Sequence, residues 1–463
     1  MDQSPSVKIP VIDLFAGPGG LSEGFSRFPM NGAKRFKIAL SIERDPHAHS
    51  TLTLRAFYRQ FPEGAAPEAY YAYLRGEITR DELFGAYPQQ SEAAKDEARL
   101  LTLGLDNPHQ LIQNKLRGAE PWVLIGGPPC QAYSLVGRSK ILGSIKKEAN
   151  ESIEGFNRRR QSTFDEDERQ ELYKEYLAII ARHWPSIFVM ENVRGIISAK
   201  HRGERIIPKI LRDLSNPAEV FAASSRRHTY RIYSLTTPTS GNPLDHCQTD
   251  FLIRSELYGI PQARHRVILL GVRNDLDHKE IPLLKQQPAK TVHQTIGDLP
   301  SLTPGVTKLN GKRPYDALAE LRDQILYTAA NGELFDFDSE LIVRLERSIA
   351  LSLKRENRGT RFYSYDQLTT NRWFFDHRLG GVCNHQTRSH IKEELWRYAF
   401  ASCYAELFGS SPQLKHFPQK LLPKHANIEE ALSGQKFGDR FRVQLADKPA
   451  STITSHISKD GHY

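Results

Sequence analysis

The stretch LIGGPPCQAYS, residues 124–134, combines a reactive side chain with residues that stiffen the backbone. Two glycines and two prolines precede Cys130, and Gln131 and Ser134 follow it. Packing gives a thiol no reason to lie in such a loop, whereas a cysteine on a fixed turn is suited to nucleophilic attack. The stretch therefore predicts a nucleophile at Cys130, with an inert thiol as the alternative.

Two further stretches place charged groups at the ends of apolar runs. In FVMENVRG, Glu191 follows an apolar run, where burial favours a carboxyl group that holds or donates a proton and Asn192 can orient it. In QARHR, Arg264 and Arg266 alternate onto one face as a strand begins, and paired arginines need anionic or carbonyl partners. The alternatives are a carboxylate satisfied by its neighbours and ordinary surface charge.

A glycine-rich turn, AGPGG at 16–20, follows the apolar run that ends at Phe15. Glycine allows a ligand to approach the backbone closely, and free amides at a helix start favour an anionic group. Glu43, about thirty residues on, follows another apolar run, and an acid there suits a ribose diol. The pattern indicates a nucleoside-cofactor site, with an ordinary strand–helix turn as the alternative.

The elements that must position these residues are short apolar runs separated by helix-like stretches. A helix is predicted over Glu171–Trp184, because apolar residues recur at helical spacing and Pro185 must end it. Strands are predicted at Val11–Phe15, Trp122–Ile125, Ile187–Met190 and Val267–Val272. This alternation predicts an α/β fold with a parallel sheet, whose ligands lie beyond the carboxyl ends of the strands.

Composition excludes several classes of protein. The chain has 463 residues and a net charge of +9, which fits a phosphate-rich partner. Its four cysteines form no CxxC pair and no ligand spacing, so neither a disulfide scaffold nor a metal site is expected. No apolar run approaches the ~18 residues of a membrane span, and no secretory signal begins the chain. We expect a soluble, cytoplasmic protein.

The chain is expected to divide at about residue 275. Residues 1–275 are expected to form the catalytic and cofactor-binding domain, with insertions at about 55–115 and 136–170. Residues 276–440 contain mixed short segments and are expected to form a smaller second domain, and 441–463 to begin a return to the first.

Together, FAGPGG, GGPPCQ, ENV and QARHR resemble the motifs of the cytosine-C5 DNA methyltransferase family of bacterial restriction–modification systems, in the family's order. QLADKPASTITSHI, at 444–457, is similar to that family's penultimate motif. The resemblance covers 9–275 and about 440–463. It implies a Rossmann-like S-adenosylmethionine-dependent methyltransferase fold with a smaller mixed target-recognition domain, acting on a flipped-out cytosine in double-stranded DNA.

The resemblance also implies roles for individual residues. Cys130 would attack C6 of cytosine, Glu191 would engage N3 and the exocyclic amine, Arg266 would hold the base carbonyl and Arg264 would support the site. The implied cofactor-binding residues are Phe15, Ala16, Gly17, Gly19, Gly20, Leu21, Glu43, Pro128 and, for the adenine, Asp106. The implied DNA contacts are Gln131, Ser134, Arg138 and Lys140, on the stretch that resembles the family's DNA-closing loop.

Other readings remain open beside this one. The family's final motif is not found before the sequence ends at SKDGHY, so either the sequence is truncated or a second polypeptide supplies the missing piece. A partial, non-enzymatic chain that binds DNA or pairs with a catalytic partner is a further alternative. A cognate restriction endonuclease would act on the same site. A tRNA cytosine-C5 methyltransferase is the alternative enzyme, although the Cys-Phe-Thr signature of those relatives is absent. The aromatic and basic run at 361–378 and NHQTRSH at 384–390 are candidate DNA contacts, with a solvated or core role as the alternative.

Overall fold

The structure is a computed structural model, and its description is limited to part of the chain. The described residues are 8–30, 33–129, 152, 154–156, 172–201, 204–221, 228–238, 247–276, 280–307, 316, 320, 323–324, 327, 331, 340–341, 343–344, 347, 357–365, 374–424, 428–433 and 441–452. Cys130 and the predicted DNA contacts Gln131, Ser134, Arg138 and Lys140 lie outside these residues, as does almost all of the predicted insertion at 136–170.

Within the described residues the chain forms eighteen strands and twelve α-helices, which are numbered in chain order. The strands are β1 Ile9–Leu14, β2 Pro29–Met30, β3 Ala33–Lys34, β4 Phe36–Glu43, β5 Ala98–Leu100, β6 Val123–Gly126, β7 Ile187–Val193, β8 Lys200–His201, β9 Glu204–Arg205, β10 Tyr230–Tyr233, β11 Leu252–Arg254, β12 Gln262–Ala263, β13 His265–Arg273, β14 Gly305–Val306, β15 Gly359–Ser364, β16 Gly381–Gln386, β17 Ser389–His390 and β18 Ala450–Ser451. The helices are α1 Gly20–Arg27, α2 Pro46–Arg59, α3 Glu68–Arg75, α4 Arg80–Ala86, α5 Pro88–Glu97, α6 His109–Leu116, α7 Leu172–His183, α8 Ile206–Ser215, α9 Pro217–Val220, α10 Val292–Ile296, α11 Lys392–Phe408 and α12 Ile428–Leu432.

The central sheet has the strand order β10-β13-β7-β6-β1-β4-β5, with β11 paired to β13. The pairs from β5 through β4, β1 and β6 to β7 are parallel, whereas β13 runs antiparallel to both β7 and β10. The chain therefore winds outward from β1 in both directions, so the ends of β1, β4 and β6 meet at one edge. The predicted α/β fold with a Rossmann-like sheet is confirmed.

The central parallel strands carry apolar residues on both faces of the sheet. Ile12 and Leu14 of β1 join a buried cluster with Tyr176 and Ile180 of α7, while Val11 joins another that packs against α1. Because strand side chains alternate between faces, a strand covered on both sides must be apolar nearly throughout. The four predicted strands and the helix at 171–184 are all found, with bounds that differ by at most three residues.

Contacts divide the chain into two compact units. The first comprises residues 1–67, 80–254 and 265–285, and the second comprises 68–79, 255–264 and 286–463. Sequence position alone did not indicate that 68–79 and 255–264 group with the second unit. Within the predicted 55–115 insertion, β5 is an edge strand of the central sheet, so this short piece belongs to the core fold.

The second unit is built around α11. Phe400 and Ala401 of this helix are fully buried, and they pack with Phe417 and Leu414 from the segment that follows it. Three two-stranded pairings, β12–β18, β14–β17 and β15–β16, lie in this unit. None of the helices in the described part of the chain has the length and apolarity needed to cross a bilayer.

Candidate active site

The glycine turn after β1 is held in a strained, well-defined conformation. Phe15 has φ +56°, in the left-handed region that bulky residues rarely adopt, and Gly17 and Gly19 also have positive φ. At Gly19 a Cβ would lie 2.9 Å from Leu52 Cδ1, so a side chain there would crowd α2. Backbone strain of this kind concentrates at ligand sites, because the surrounding structure must enforce it.

Glu43 ties this turn to the neighbouring strand. Its Oε2 accepts a hydrogen bond from the Gly17 N–H at 2.8 Å, and its Oε1 accepts from the Arg44 and Asp45 N–H groups at 2.9 and 2.7 Å. The carboxylate is thereby fixed at the end of β4, directly beside β1. A carboxylate can accept about four hydrogen bonds, so Glu43 retains capacity for a ligand hydroxyl.

A cleft of about 300 Å³ opens at the carboxyl ends of β1, β4 and β6. It combines an aromatic ring, apolar walls and the Glu43 carboxylate, which suits a ligand with a flat ring and a polar sugar. Its lining residues are Phe15, Ile42, Glu43, Arg44, Asp45, Leu101, Thr102, Leu103, Gly127, Pro129 and Leu172.

The structure places the other predicted cofactor residues around this cleft or behind it. Ala16 donates its N–H to the Ile42 carbonyl at 3.0 Å, Gly20 begins α1, and Leu21 packs on the Val11 cluster. Asp106 is exposed, and its Oδ2 accepts a hydrogen bond at 2.7 Å from the N–H of Thr102 in the cleft wall. Ala16, Gly20 and Leu21 therefore shape the glycine turn, and Asp106 supports the cleft wall.

Asp13 is a buried acid that sequence reasoning missed. It is fully buried in β1 and accepts a hydrogen bond from the Ser22 hydroxyl of α1. Burial raises the pKa of Asp13 from 3.8 to about 7, although Ser22 and the Arg59 charge oppose the shift. The signal available in the sequence was an acid inside the apolar run VIDLF.

Replacing Asp13 with asparagine is expected to alter how stability depends on pH. The folded chain binds a proton at Asp13 that the unfolded chain has lost between pH 3.8 and about 7. The contribution of Asp13 to the free energy of unfolding of wild type therefore falls as pH rises through that window, whereas Asp13→Asn has no such loss. The free energy of unfolding of the variant minus that of wild type should rise by up to about 4 kcal/mol from pH 4 to pH 8.

Urea denaturation at a series of pH values measures this difference. Asp81→Asn, which changes an exposed acid, is the matched control and should keep the wild-type pH dependence. A constant difference between Asp13→Asn and wild type across the window would contradict the account of Asp13.

The turn after β6 leads to Cys130, and close packing explains its glycines. A Cβ at Gly126 would lie 2.7 Å from the Leu14 carbonyl oxygen, and one at Gly127 would lie 3.2 Å from Glu191 Oε2. The Asn192 amide donates a hydrogen bond at 3.2 Å to the Pro128 carbonyl. The Gly-Gly-Pro-Pro backbone is therefore held against β7 as it approaches Cys130.

Glu191 and Arg266 meet across the antiparallel pair β7–β13. Arg266 Nε lies 2.8 Å from Glu191 Oε1, and the two side chains are 19% and 25% exposed. Glu191 lies inside β7 rather than after it. A half-buried ion pair fixes both side chains while leaving carboxylate and guanidinium atoms available to a planar ligand.

Arg264 directly precedes β13 and is not part of that strand. It is exposed, precedes the first residue of β13, and donates its backbone N–H to Ser255 Oγ at 2.8 Å. The predicted alternation of Arg264 with Arg266 along one strand is not observed, because β13 begins at His265. Among the described residues no cluster of three or more metal-ligating side chains occurs.

Comparison with known proteins identifies the family. The family model described as "C-5 cytosine-specific DNA methylase" matches residues 106–217 and 246–359. The Type II methyltransferase M.Bpa9945I of Bacillus paralicheniformis is 30% identical over 484 residues, which cover 98% of this chain and 85% of that protein. The Type II methyltransferase M1.HphI of Haemophilus parahaemolyticus is 25% identical, over 64% of this chain and 55% of that protein.

Among solved structures, the Entamoeba histolytica methyltransferase EhMeth is 15% identical with a TM-score of 0.31, and the match covers 69% of this chain and 67% of that one. The family model and the near full-length likeness to M.Bpa9945I carry the assignment. The chain therefore belongs to the C-5 cytosine-specific DNA methylase family and is a DNA (cytosine-5-)-methyltransferase.

Proposed function

We propose that this chain transfers a methyl group from S-adenosylmethionine to C5 of a flipped-out cytosine in duplex DNA, through a covalent bond between Cys130 and C6. The observation that carries the proposal is the Glu191–Arg266 pair, which lies beside the Gly127 backbone three residues before Cys130. Activation of a cytosine ring requires a nucleophilic thiol and polar groups that limit the charge on the ring, and the Glu191–Arg266 pair supplies the second of these beside the turn that precedes Cys130 in the sequence.

Each group has a distinct task in this scheme. The Cys130 thiolate forms a bond to C6, and the electrons of the C5–C6 double bond move toward C5 and N3. Glu191 hydrogen-bonds to N3 and the exocyclic amine, and Arg266 holds the carbonyl oxygen, so both limit the charge that develops on the ring. After C5 gains its methyl group, loss of the C5 proton restores the double bond and expels the thiolate.

The cleft beside Glu43 fits the cofactor by its donor set. Phe15 and Glu43 line the cleft, where the ring would bind the adenine and the carboxylate would bind the ribose diol. The Gly17–Gly20 turn, joined to Glu43 through the Gly17 N–H, would hold the methionine end. When bound there, S-adenosylmethionine supplies an electrophilic methyl group. The role of Asp106 is to support Thr102 in the cleft wall.

Replacing Glu43 with glutamine is expected to weaken cofactor binding. A glutamine amide accepts hydrogen bonds only at its oxygen. Its NH₂ group would therefore face at least one of the Gly17, Arg44 and Asp45 N–H groups, which would lose the acceptor that Glu43 provides. Loss of a charge-assisted hydrogen bond predicts a Kd for S-adenosylmethionine that is roughly 10- to 100-fold higher. Isothermal titration with the cofactor alone measures it.

The matched control for this prediction is Glu63→Gln. Its carboxylate is 65% exposed and lies outside the cleft lining, so cofactor affinity should be unchanged. Equal affinity of Glu43→Gln and wild type would refute the role of Glu43.

The duplex substrate sets the remaining expectations. The target base must leave the stack before Cys130 can reach it, and the basic residues Arg138 and Lys140 are proposed to contact phosphates. The kinship with type II methyltransferases supports a role in restriction–modification, beside an endonuclease with the same target, in the cytoplasm and on the nucleoid.

Transfer of tritiated methyl from S-adenosylmethionine to unmethylated plasmid DNA tests the proposal. We expect label in duplex DNA at 5-methylcytosine and none in tRNA offered at equal nucleotide concentration. Label confined to tRNA would assign the chain to RNA modification instead.

A further inference from the structure

Parts of the two sequence stretches that were candidate DNA contacts, residues 361–364 of the first and 384–386 of the second, lie in one two-stranded ribbon. β15 and β16 pair antiparallel, with Gly359 opposite Gln386 and Ser364 opposite Gly381. This register places Arg361 opposite Asn384, between the pairs Thr360–His385 and Phe362–Cys383. Neither stretch alone indicated which of its side chains share a face.

One face of the ribbon is fastened to the rest of the second unit. His385 Nε2 donates to the Pro300 carbonyl at 2.7 Å, and Cys383 Sγ contacts the Leu74 carbonyl at 3.6 Å. The Thr387 hydroxyl donates to the Thr303 carbonyl at 2.7 Å just beyond the strand. These bonds fix the ribbon to the rest of the second unit.

Three polar side chains of the ribbon, those of Arg361, Asn384 and Gln386, are exposed. None of them forms a hydrogen bond or ion pair with another residue in the part of the chain that the structure describes. Asn384 has φ +56°, which interrupts the regular strand at this point. Residues 357–365 and 381–390 contain three arginines and no Asp or Glu, so the surface is positive.

We propose that this ribbon reads the target sequence, with Arg361 on a guanine and Asn384 and Gln386 on adenines in the major groove. The inference rests on the proposed action on duplex DNA. Arginine is the side chain that bonds guanine O6 and N7 together, and asparagine and glutamine do the same at adenine N6 and N7. A two-stranded ribbon fits the major groove of B-DNA, whereas the narrow major groove of A-form RNA excludes it.

The spacing of these side chains matches the substrate. Asn384 and Gln386 are two residues apart, which is at most about 6.8 Å along the strand because Asn384 interrupts its regular extension, and base pairs stack at about 3.4 Å. The three side chains therefore span about two base-pair steps. Three base-contacting side chains in so short a span predict that the ribbon recognises two to three base pairs and that other parts of the chain contact any further positions of the target.

Selection from duplexes with a randomised segment, using the full chain, tests the proposal. Wild type should enrich a defined sequence. Arg361→Lys keeps the charge but loses the bidentate geometry, so discrimination at one G·C position should fall roughly 5- to 150-fold while the salt dependence of binding stays unchanged. Gln386→Ala should lower discrimination at a different position of the target, one that carries A·T.

The matched control is Arg347→Lys. Arg347 is an exposed arginine of the same unit outside the ribbon, so this variant should select the wild-type sequence.

Enrichment of the wild-type sequence by both Arg361→Lys and Gln386→Ala, at full discrimination, would overturn the inference. So would a wild-type chain that enriches no sequence, or one that binds structured RNA in preference to every duplex. Methyl transfer on the same preparations separates the two proposals. A chain that methylates DNA while its ribbon variants keep their sequence loses only this inference, and one that selects a sequence but transfers no methyl group loses only the proposed function.

Discussion

Replacing Cys130 with serine should abolish methyl transfer to DNA, with a loss on the order of 10⁴-fold or more, as for other enzymes that lose their nucleophile. A thiol is ionised to about a few per cent near neutral pH and its thiolate is a strong nucleophile, whereas a serine hydroxyl without an adjacent base does not ionise. The Gly127–Pro129 backbone that leads to Cys130 is held by packing of Gly127 against Glu191 and by the hydrogen bond from the Asn192 amide to the Pro128 carbonyl. Cofactor affinity and thermal stability should therefore match those of wild type.

Radiolabel incorporation into plasmid DNA, measured under single-turnover conditions, checks this expectation. Cys247→Ser is the matched control, because Cys247 is an exposed free cysteine outside the cleft lining, and it should retain full activity. Turnover by Cys130→Ser within tenfold of wild type would rule out covalent attack by Cys130.

The second large effect is expected for Glu191→Gln. Removal of the carboxylate leaves Arg266 without its partner at 2.8 Å and deprives the ring of the group proposed to bond N3. Loss of one such stabilising group typically lowers kcat by about 10²- to 10³-fold. Binding of S-adenosylmethionine should be unchanged, because Glu191 does not line the cofactor cleft.

A double-mutant cycle with Arg266→Ala distinguishes a shared role from two separate ones. If the two residues act together on the base, the double variant should lose little more activity than the worse single variant. Strictly additive losses would indicate independent roles, and an unchanged kcat in Glu191→Gln would remove Glu191 from the mechanism.

Sequence patterns predicted the sheet and the turns well for a physical reason. β1, β6, β7 and β13 are covered on both faces or nearly so, and such strands must be continuous apolar runs that end at glycine or charged residues. Glu43 ends β4, Glu191 lies near the end of β7 and Arg266 lies near the start of the antiparallel β13. The arrival of Glu43 and Glu191 at one edge could be anticipated from an alternating α/β order.

What sequence could not show depends on contacts between distant residues. Thr102 and Leu103 line the cleft because β5 joins the edge of the sheet. The three residues of β5, Ala98–Leu100, include no β-branched or aromatic side chain, so the sequence gives little signal for a strand there. The pairing of Arg361 with Asn384 is set by the register of β15 and β16, which the hydrophobic pattern of two half-exposed strands leaves open. Asp13 was taken as part of an apolar run, although its burial is its most informative property.

Trapping on a duplex that carries 5-fluorocytosine at the target position is the most direct test of the covalent mechanism. Fluorine cannot leave C5 as a proton does, so the bond from sulfur to C6 should persist after methyl transfer. The account predicts a complex stable to denaturation that forms only with S-adenosylmethionine present and whose modified peptide contains Cys130. Efficient methylation of ordinary duplex DNA with no trapped complex, or an adduct on another residue, would contradict it.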